Sequence, residues 1–298
     1  MKKTIRHYLY VSLLMLLPLW TSCDKDIHEN ESHGLAVGME WLDDIEPTDI
    51  TSPVNLWIYD AEGHEVEAHE FSSPQELASG LFSLPEGDYT LVGVCGLTEP
   101  YRYDYENGTR TADMLRVSLA DPSASPAHAV GGVAGASVTD TRINLRSVIR
   151  VAPLLAELAV RIDGVPEGAE LAVTVRNAAT CLYPARQGDD NSYIVPSAEK
   201  SEAHLPQAVA DGGTISAGAR LMPTAQGETC TLLYLVMTFA DGSRHEYTAE
   251  APLMLAGKRY ELALEYDRMQ PYMYITATDI NPWGEGWITS DDIFNPGI

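Results

Sequence analysis

The stretch Leu158–Arg176 constrains the fold most. Leu158, Val160 and Ile162 alternate with Ala159, Arg161 and Asp163; after Gly164-Val165-Pro166-Glu167-Gly168, Leu171, Val173 and Val175 alternate with Ala172, Thr174 and Arg176. Successive side chains of an extended strand point to opposite faces, so a period of two sets an apolar row against a core and a polar row toward water. That is the signature of an antiparallel sheet with one wet face. Tyr260-Glu261-Leu262-Ala263-Leu264-Glu265-Tyr266 alternates in the same way, and Thr231–Phe239 is an apolar run of strand length closed by Ala240-Asp241-Gly242.

Strand signals also fill the earlier part of the chain from Leu35 onward. Pro53–Tyr59, rich in aromatic and β-branched residues, leads through Asp60-Ala61-Glu62-Gly63 into His64–Ala68, a hairpin. Pro74-Gln75-Glu76-Leu77 suits one helical turn, and Leu84-Pro85-Glu86-Gly87-Asp88-Tyr89 is a corner entering the buried strand Thr90–Val94. Residues 121–135, heavy in Pro, Ala, Ser and Gly, are expected to form a loop, and 184–220 a longer polar connection. Ala152–Glu157 suits a helical turn limited by Pro153. Two halves echo each other: Leu56–Tyr59, the Gly63 turn, His64-Glu65 and then Leu84 and Tyr89 correspond to Leu235–Phe239, the Gly242 turn, His245-Glu246 and then Leu255 and Tyr260. Repeated hairpins of this kind support two tandem antiparallel β-sandwich domains, 35–145 and 146–298, in an all-β chain.

The N-terminus follows different rules. Lys2, Lys3 and Arg6 precede the apolar run Leu9–Leu19, and Thr21-Ser22 precede Cys23. This is the layout of a secretory signal, residues 1–22, ending at a lipidated cysteine. The run is shorter than the roughly 20 residues of a membrane-spanning helix. Trp20 stands where a bacterial lipobox favours Leu, with Leu19 one place further back. Acyl chains on Cys23 would hold the body to a membrane at about 0.8 kcal/mol per buried methylene. Residues 23–34 are polar and acidic, a tether.

Charge and motifs narrow the function. The net charge of −24 becomes more negative when Lys2, Lys3 and Arg6 are removed. Phosphate binding needs a basic footprint, so nucleic acid is not an expected partner. No GxSxG, HExxH or P-loop occurs, and the neighbouring carboxylates of so acidic a chain mark no glycosidase pair. We expect no enzyme, no catalytic residues, no cofactor and no metal site; His64-Glu65 and His69-Glu70 place their histidines on opposite faces of a strand. Cys95, Cys181 and Cys230 are widely spaced, suited either to one disulfide plus a thiol or to small buried hydrophobes. Tyr101, Tyr103 and Tyr105 share one face of an extended segment, either a carbohydrate platform or a packed aromatic face. Trp283 and Trp287 carry the same alternatives.

Cys23 with its acidic tether, the Trp57-Ile58-Tyr59-Asp60…Gly63 hairpin, the Leu84–Tyr89 corner, the Leu158–Gly168 strand and the late Ile280…Trp283 segment together resemble the FimB-type fimbrial anchor and subunit lipoproteins of Bacteroidales. The resemblance implies two transthyretin-like or immunoglobulin-like sandwiches. It also implies an outer-membrane lipoprotein, attached through Cys23 and exposed at the cell surface, that anchors a fimbrium or forms a minor part of it. Fimbrial subunit proteins, joined by strand addition, and host or bacterial surface ligands are the implied partners. The alternative is a surface glycan-binding lipoprotein without catalytic activity.

Overall fold

Strands dominate the computed structural model, which describes residues 33–42, 52–123, 125–188, 194–269, 274–276 and 287–288. In chain order they are β1 (Leu35–Trp41), β2 (Val54–Tyr59), β3 (Glu65–Phe71), β4 (Gly87–Cys95), β5 (Tyr101–Tyr105), β6 (Leu115–Leu119), β7 (Val130–Val138), β8 (Leu145–Pro153), β9 (Ala156–Asp163), β10 (Glu170–Ala179), β11 (Cys181–Tyr183), β12 (Val195–Pro196), β13 (Lys200–His204), β14 (Ala208–Val209), β15 (Thr214–Leu221), β16 (Thr231–Thr238), β17 (Arg244–Ala251), β18 (Arg259–Glu265), β19 (Tyr274–Thr276) and β20 (Trp287–Ile288). Among the described residues they form four sheets: sheet I in the order β1-β8-β7-β4-β2-β3, sheet II β5-β6-β11-β12, sheet III β13-β10-β16-β17-β19 with β14 also on β10, and sheet IV β15-β9-β18-β20. The all-β sandwich expected from the alternation is what forms.

Alternation of the kind seen in Leu158–Arg176 does not require its two strands to pair. β9 bonds to β15 and β18 in sheet IV, and β10 bonds to β13, β14 and β16 in sheet III. The Gly164–Gly168 link is therefore an arch between sheets. Leu158, Val160 and Ile162 from one side and Leu171, Val173 and Val175 from the other share one core. This core continues without a break into Trp57, Tyr59, Val92, Val94, Leu115 and Val117.

Sheet I is covered on both faces. Leu56 and Ile58 pack with Leu35, Val37, Leu77 and Ile149 in a second core, whereas Trp57 and Tyr59 join the first. Every residue of β2 is buried as a result, which is why its sequence reads as an apolar run with Asn55 as its one purely polar member. The helix Pro74–Ser79 closes the second core with Leu77. The Oγ of Ser73 accepts the Glu76 amide at 3.2 Å, and the Glu76 carboxylate accepts the Ser72 amide at 2.7 Å, so two helix-end donors are satisfied by side chains.

The expected loop at 121–135 ends early, because β7 begins at Val130. Its glycines are there for close packing: a Cβ on Gly132 would overlap the carbonyl oxygen of Arg150, and one on Gly131 would come within 2.9 Å of Leu154. Likewise, a Cβ on Gly93 of β4 would lie 2.9 Å from the Cδ1 of Ile149. Small residues let β8 cross over β4 and β7. The expected connection at 184–220 contains β12 to β15; β13 lies at a sheet edge, so most of its side chains are polar and wet. Ala152–Glu157 is no helical turn but the junction of β8 and β9.

Both hairpins of the internal echo form, β2–β3 turning at Gly63 and β16–β17 at Gly242, each with φ of +83°, a left-handed conformation that favours glycine. Each is followed by a tyrosine whose hydroxyl donates to an upstream carbonyl, Tyr89 to Pro85 at 2.9 Å and Tyr260 to Leu253 at 2.8 Å. The echo then diverges: β4 returns to pair with β2, whereas β18 crosses to the opposite sheet and pairs with β9. Gly132→Val is expected to cost about 2–3 kcal/mol of stability by overpacking, measured by urea unfolding; wild-type stability in that variant would contradict the crossing of β8.

Candidate functional site

Assembly chemistry belongs to sheet edges, where backbone N–H and C=O groups lack a neighbour. Sheet I ends at β1 and β3, and sheets III and IV end at β19 and β20. β1 lies parallel to β8 over seven residue pairs, from Leu35 with Leu145 to Trp41 with Val151. β19 and β20 likewise lie parallel to β17 and β18. The outermost described strands in chain order are thus edge strands, each hydrogen-bonded to one neighbour.

Sheet II is built from both halves of the chain. Val117 of β6 pairs with Leu182 of β11, and Ser118 with Cys181. Beside this seam Arg186 stacks on Tyr183, 3.4 Å from the ring centre. Its guanidinium donates to the carbonyl of Asp113 at 2.8 Å and to the Glu106 carboxylate at 3.3 Å. One cation therefore ties the loop after β11 to the short turns flanking β5 and β6.

The three tyrosines of β5 share the face that alternation requires, and that face lies against sheet I. Tyr101 is buried and donates to the carbonyl of Ala127 at 2.7 Å. Tyr103 meets Trp57 edge-on, with ring centres 5.2 Å apart, and stays 45% exposed. Tyr105 donates its hydroxyl proton to Glu65, so Tyr59, 3.0 Å away, donates to the oxygen of Tyr105. Arg110 holds the other oxygen of Glu65 at 2.8 Å. Burial, then the hydrogen bond to Tyr105, pushes the Tyr59 hydroxyl far above the ordinary tyrosine range. Tyr101 and Tyr105 thus belong to a packed aromatic face; Tyr103 alone keeps much of its ring open.

A larger cleft, about 430 Å³, lies over sheet IV on a floor of Ala159 and Gly218. Its walls neutralise one another: Glu157 is held by Arg220 at 2.9 Å and Arg259 at 2.6 Å. Burial raises the Glu157 carboxyl, but the two guanidinium groups outweigh it and leave the group below its usual 4.5.

Cys95 and Cys181 are buried thiols in β4 and β11, and Cys230 is partly covered. All three are free. Burial pushes the Cys95 thiol up to about 12, and it donates to the sulfur of Met39 at 3.2 Å. Cys95 and Cys181 are the small buried hydrophobes of the second reading, whereas Cys230 sits partly covered just before β16. Cys23, the signal, the tether up to Ser32, Ile280 and Trp283 lie outside the described residues, as does the Trp287 side chain.

Four sheets, with β1, β19 and β20 among their edge strands, define an all-β sandwich protein. A family model for the fimbrillin-A associated anchor proteins Mfa1 and Mfa2 matches residues 29–289. The chain belongs to that family, in keeping with the fimbrial anchor resemblance read from its motifs. Among solved structures, it is similar to a candidate adhesin from Bacteroides ovatus ATCC 8483, at 13% identity over 88% of this chain and 99% of that one, with a TM-score of 0.56. A second candidate adhesin from Bacteroides ovatus matches at 12% identity over 91% and 100% of the two chains, TM-score 0.53. The fimbrial anchor protein Mfa2 from Porphyromonas gingivalis matches at 11% identity over 86% and 95%, TM-score 0.53. No curated protein sequence matches the chain. Membership of that family assigns the protein a fimbrial role at the cell envelope.

The folded Glu157 carboxylate keeps its charge to lower pH than the unfolded one, so its stabilising effect is full above about pH 4.5 and is lost as the pH falls through the folded value. Glu157→Gln should therefore be less stable than wild type at pH 6 and approach it at pH 3, measured by urea unfolding at both.

Proposed function

We propose that this chain is an outer-membrane lipoprotein, held by acyl chains on Cys23, that anchors a fimbrium or forms a minor subunit of it without catalytic activity. It joins fimbrial subunit proteins by β-strand addition. The observation that supports this reading most is the placing of β1, β19 and β20 as parallel edge strands. An edge strand, bonded on one side only, can be exchanged for an equivalent strand of another subunit. Backbone hydrogen bonds then give affinity, and alternate side chains entering the sandwich give register. The acidity of the chain suits a solvated surface body held off the membrane by the tether 23–34. The two sandwiches, 35–145 and 146–298, are not independent in this reading: β8 reaches back from the second into sheet I, and sheet II joins both.

Two experiments separate the parts of this proposal. Cys23→Ala should release the protein from the outer membrane and detach its fimbriae, checked by membrane fractionation and electron microscopy; retention of both refutes the anchoring role. Hydrogen exchange on the complex with a co-purified fimbrial subunit should show new protection at alternate amides along one edge strand. Protection confined to loops refutes strand addition while leaving the anchor intact.

A further inference from the structure

Buried polar side chains are informative when nothing local explains them. Asn177 donates to Glu228 and to the carbonyl of Cys230 and accepts the Leu232 amide, all within 3.0 Å. Ser197 accepts the Thr180 amide at 3.1 Å and donates to the Glu199 carbonyl, and Thr231 donates to the Pro252 carbonyl at 2.8 Å. Thr224 accepts the Met254 amide at 2.8 Å. Asn55, only 3% exposed, makes no side-chain hydrogen bond among the described residues; what its amide does meet is the open space of a cleft. A side-chain amide set in a cleft wall without a protein partner keeps its donors and its acceptor for whatever enters.

Asn55 lines a cleft of about 280 Å³ between β2–β3 of sheet I and β5 of sheet II. The β2–β3 register sets Asn55 opposite Glu70, and Trp57 opposite Ala68, so the amide, the indole and the carboxylate share one face. Tyr103 rises from β5 as a half-exposed aromatic wall. At the far end, Glu65 is already matched by Arg110 and Tyr105. Glu70 is exposed, and its side chain has no hydrogen bond or ion pair among the described residues. By contrast, the larger cleft over sheet IV presents charges that satisfy one another.

The unused groups specify a ligand. A side-chain amide both donates and accepts, a carboxylate accepts, and an open tyrosine ring offers an apolar surface. Sugar hydroxyls donate and accept at once, and the C–H face of a pyranose packs on an aromatic ring. The volume falls just below the range of drug-sized ligand clefts, about 300–1,000 Å³, and suits a ring or short segment rather than a large ligand. Carboxylates at the cleft and the net charge of −24 disfavour anionic sugars. We propose that this cleft binds a neutral saccharide, one ring of a polysaccharide, with Asn55 and Glu70 on its hydroxyls and Tyr103 against its C–H face. The proposal is independent of the lipid anchor and of strand addition.

Affinity electrophoresis of the detergent-solubilised full chain through gels containing mannan, β-glucan, galactan or xylan tests it, with the anionic polymer alginate as a control. At least one neutral polysaccharide should retard the protein, and Asn55→Ala and Tyr103→Ala should each weaken binding tenfold or more. Asn55→Ala should melt at or above the wild-type temperature, because the variant loses only an amide that had no partner. Migration unaffected by every neutral polymer, retardation by alginate alone, or retardation unchanged in both variants would overturn the proposal. So would an Asn55→Ala variant that melts well below wild type, since Asn55 would then serve the fold.

Discussion

The pairing of Leu115–Leu119 with Cys181–Tyr183 is the interaction on which the rest depends. It adds a short strand from the second half of the chain to one from the first, and the two backbone segments satisfy each other where the halves meet. With that seam in place, one core runs from Trp57 to Met269, and the described residues from Gly34 onward form one compact unit. The same seam fixes β6, on which β5 is laid in antiparallel register. The position of β5 then decides everything about its tyrosines: which ring lies over Trp57, which hydroxyl reaches Glu65, and which ring is left open.

Polar groups are handled differently inside and outside this frame. In the interior, hydroxyls and amides close small networks, as Thr224 and Thr231 do with Pro252 and Met254. In the low dielectric of a core such bonds fix the positions of loops that apolar packing alone would leave free to slide. On the outer faces, pairs such as Arg116 with Asp104 or Arg244 with Glu246 are half exposed and contribute little each. Glu157 is the intermediate case, a carboxylate shared by two guanidinium groups from strands on either side. Asn55 stands apart from all of these because its amide faces a cleft and bonds to no other side chain or loop among the described residues.

Much of the architecture was legible because the signals were local. Alternation over Leu158–Ile162 and Leu171–Val175 reports a half-buried strand from side-chain geometry alone. The turns at Gly63 and Gly242 were readable because a left-handed backbone position selects glycine. The strand at Val130–Val138 was not: its glycines look like a loop until Arg150 and Leu154 are seen packed against them. Likewise Asn55 is one polar letter in an apolar run, a residue type depleted in strands. That was the signal that something other than packing is asked of β2, but only the register with β3 shows Glu70 beside it.

The sequence by itself determined the all-β class, the hairpins, the short helix at Pro74 and, through Cys23 and its flanks, the expectation of export and attachment. Each rests on interactions within a few residues, which a linear pattern records completely. The tertiary structure alone decided that Gly164–Gly168 is an arch between sheets, that β1 lies parallel on β8, that the echo of the two halves breaks after its second hairpin, and that Asn55, Trp57, Glu70 and Tyr103 meet at one cleft. These depend on partners tens of residues away, whose choice follows from how two sheets bury their faces against each other and not from any local preference of the chain.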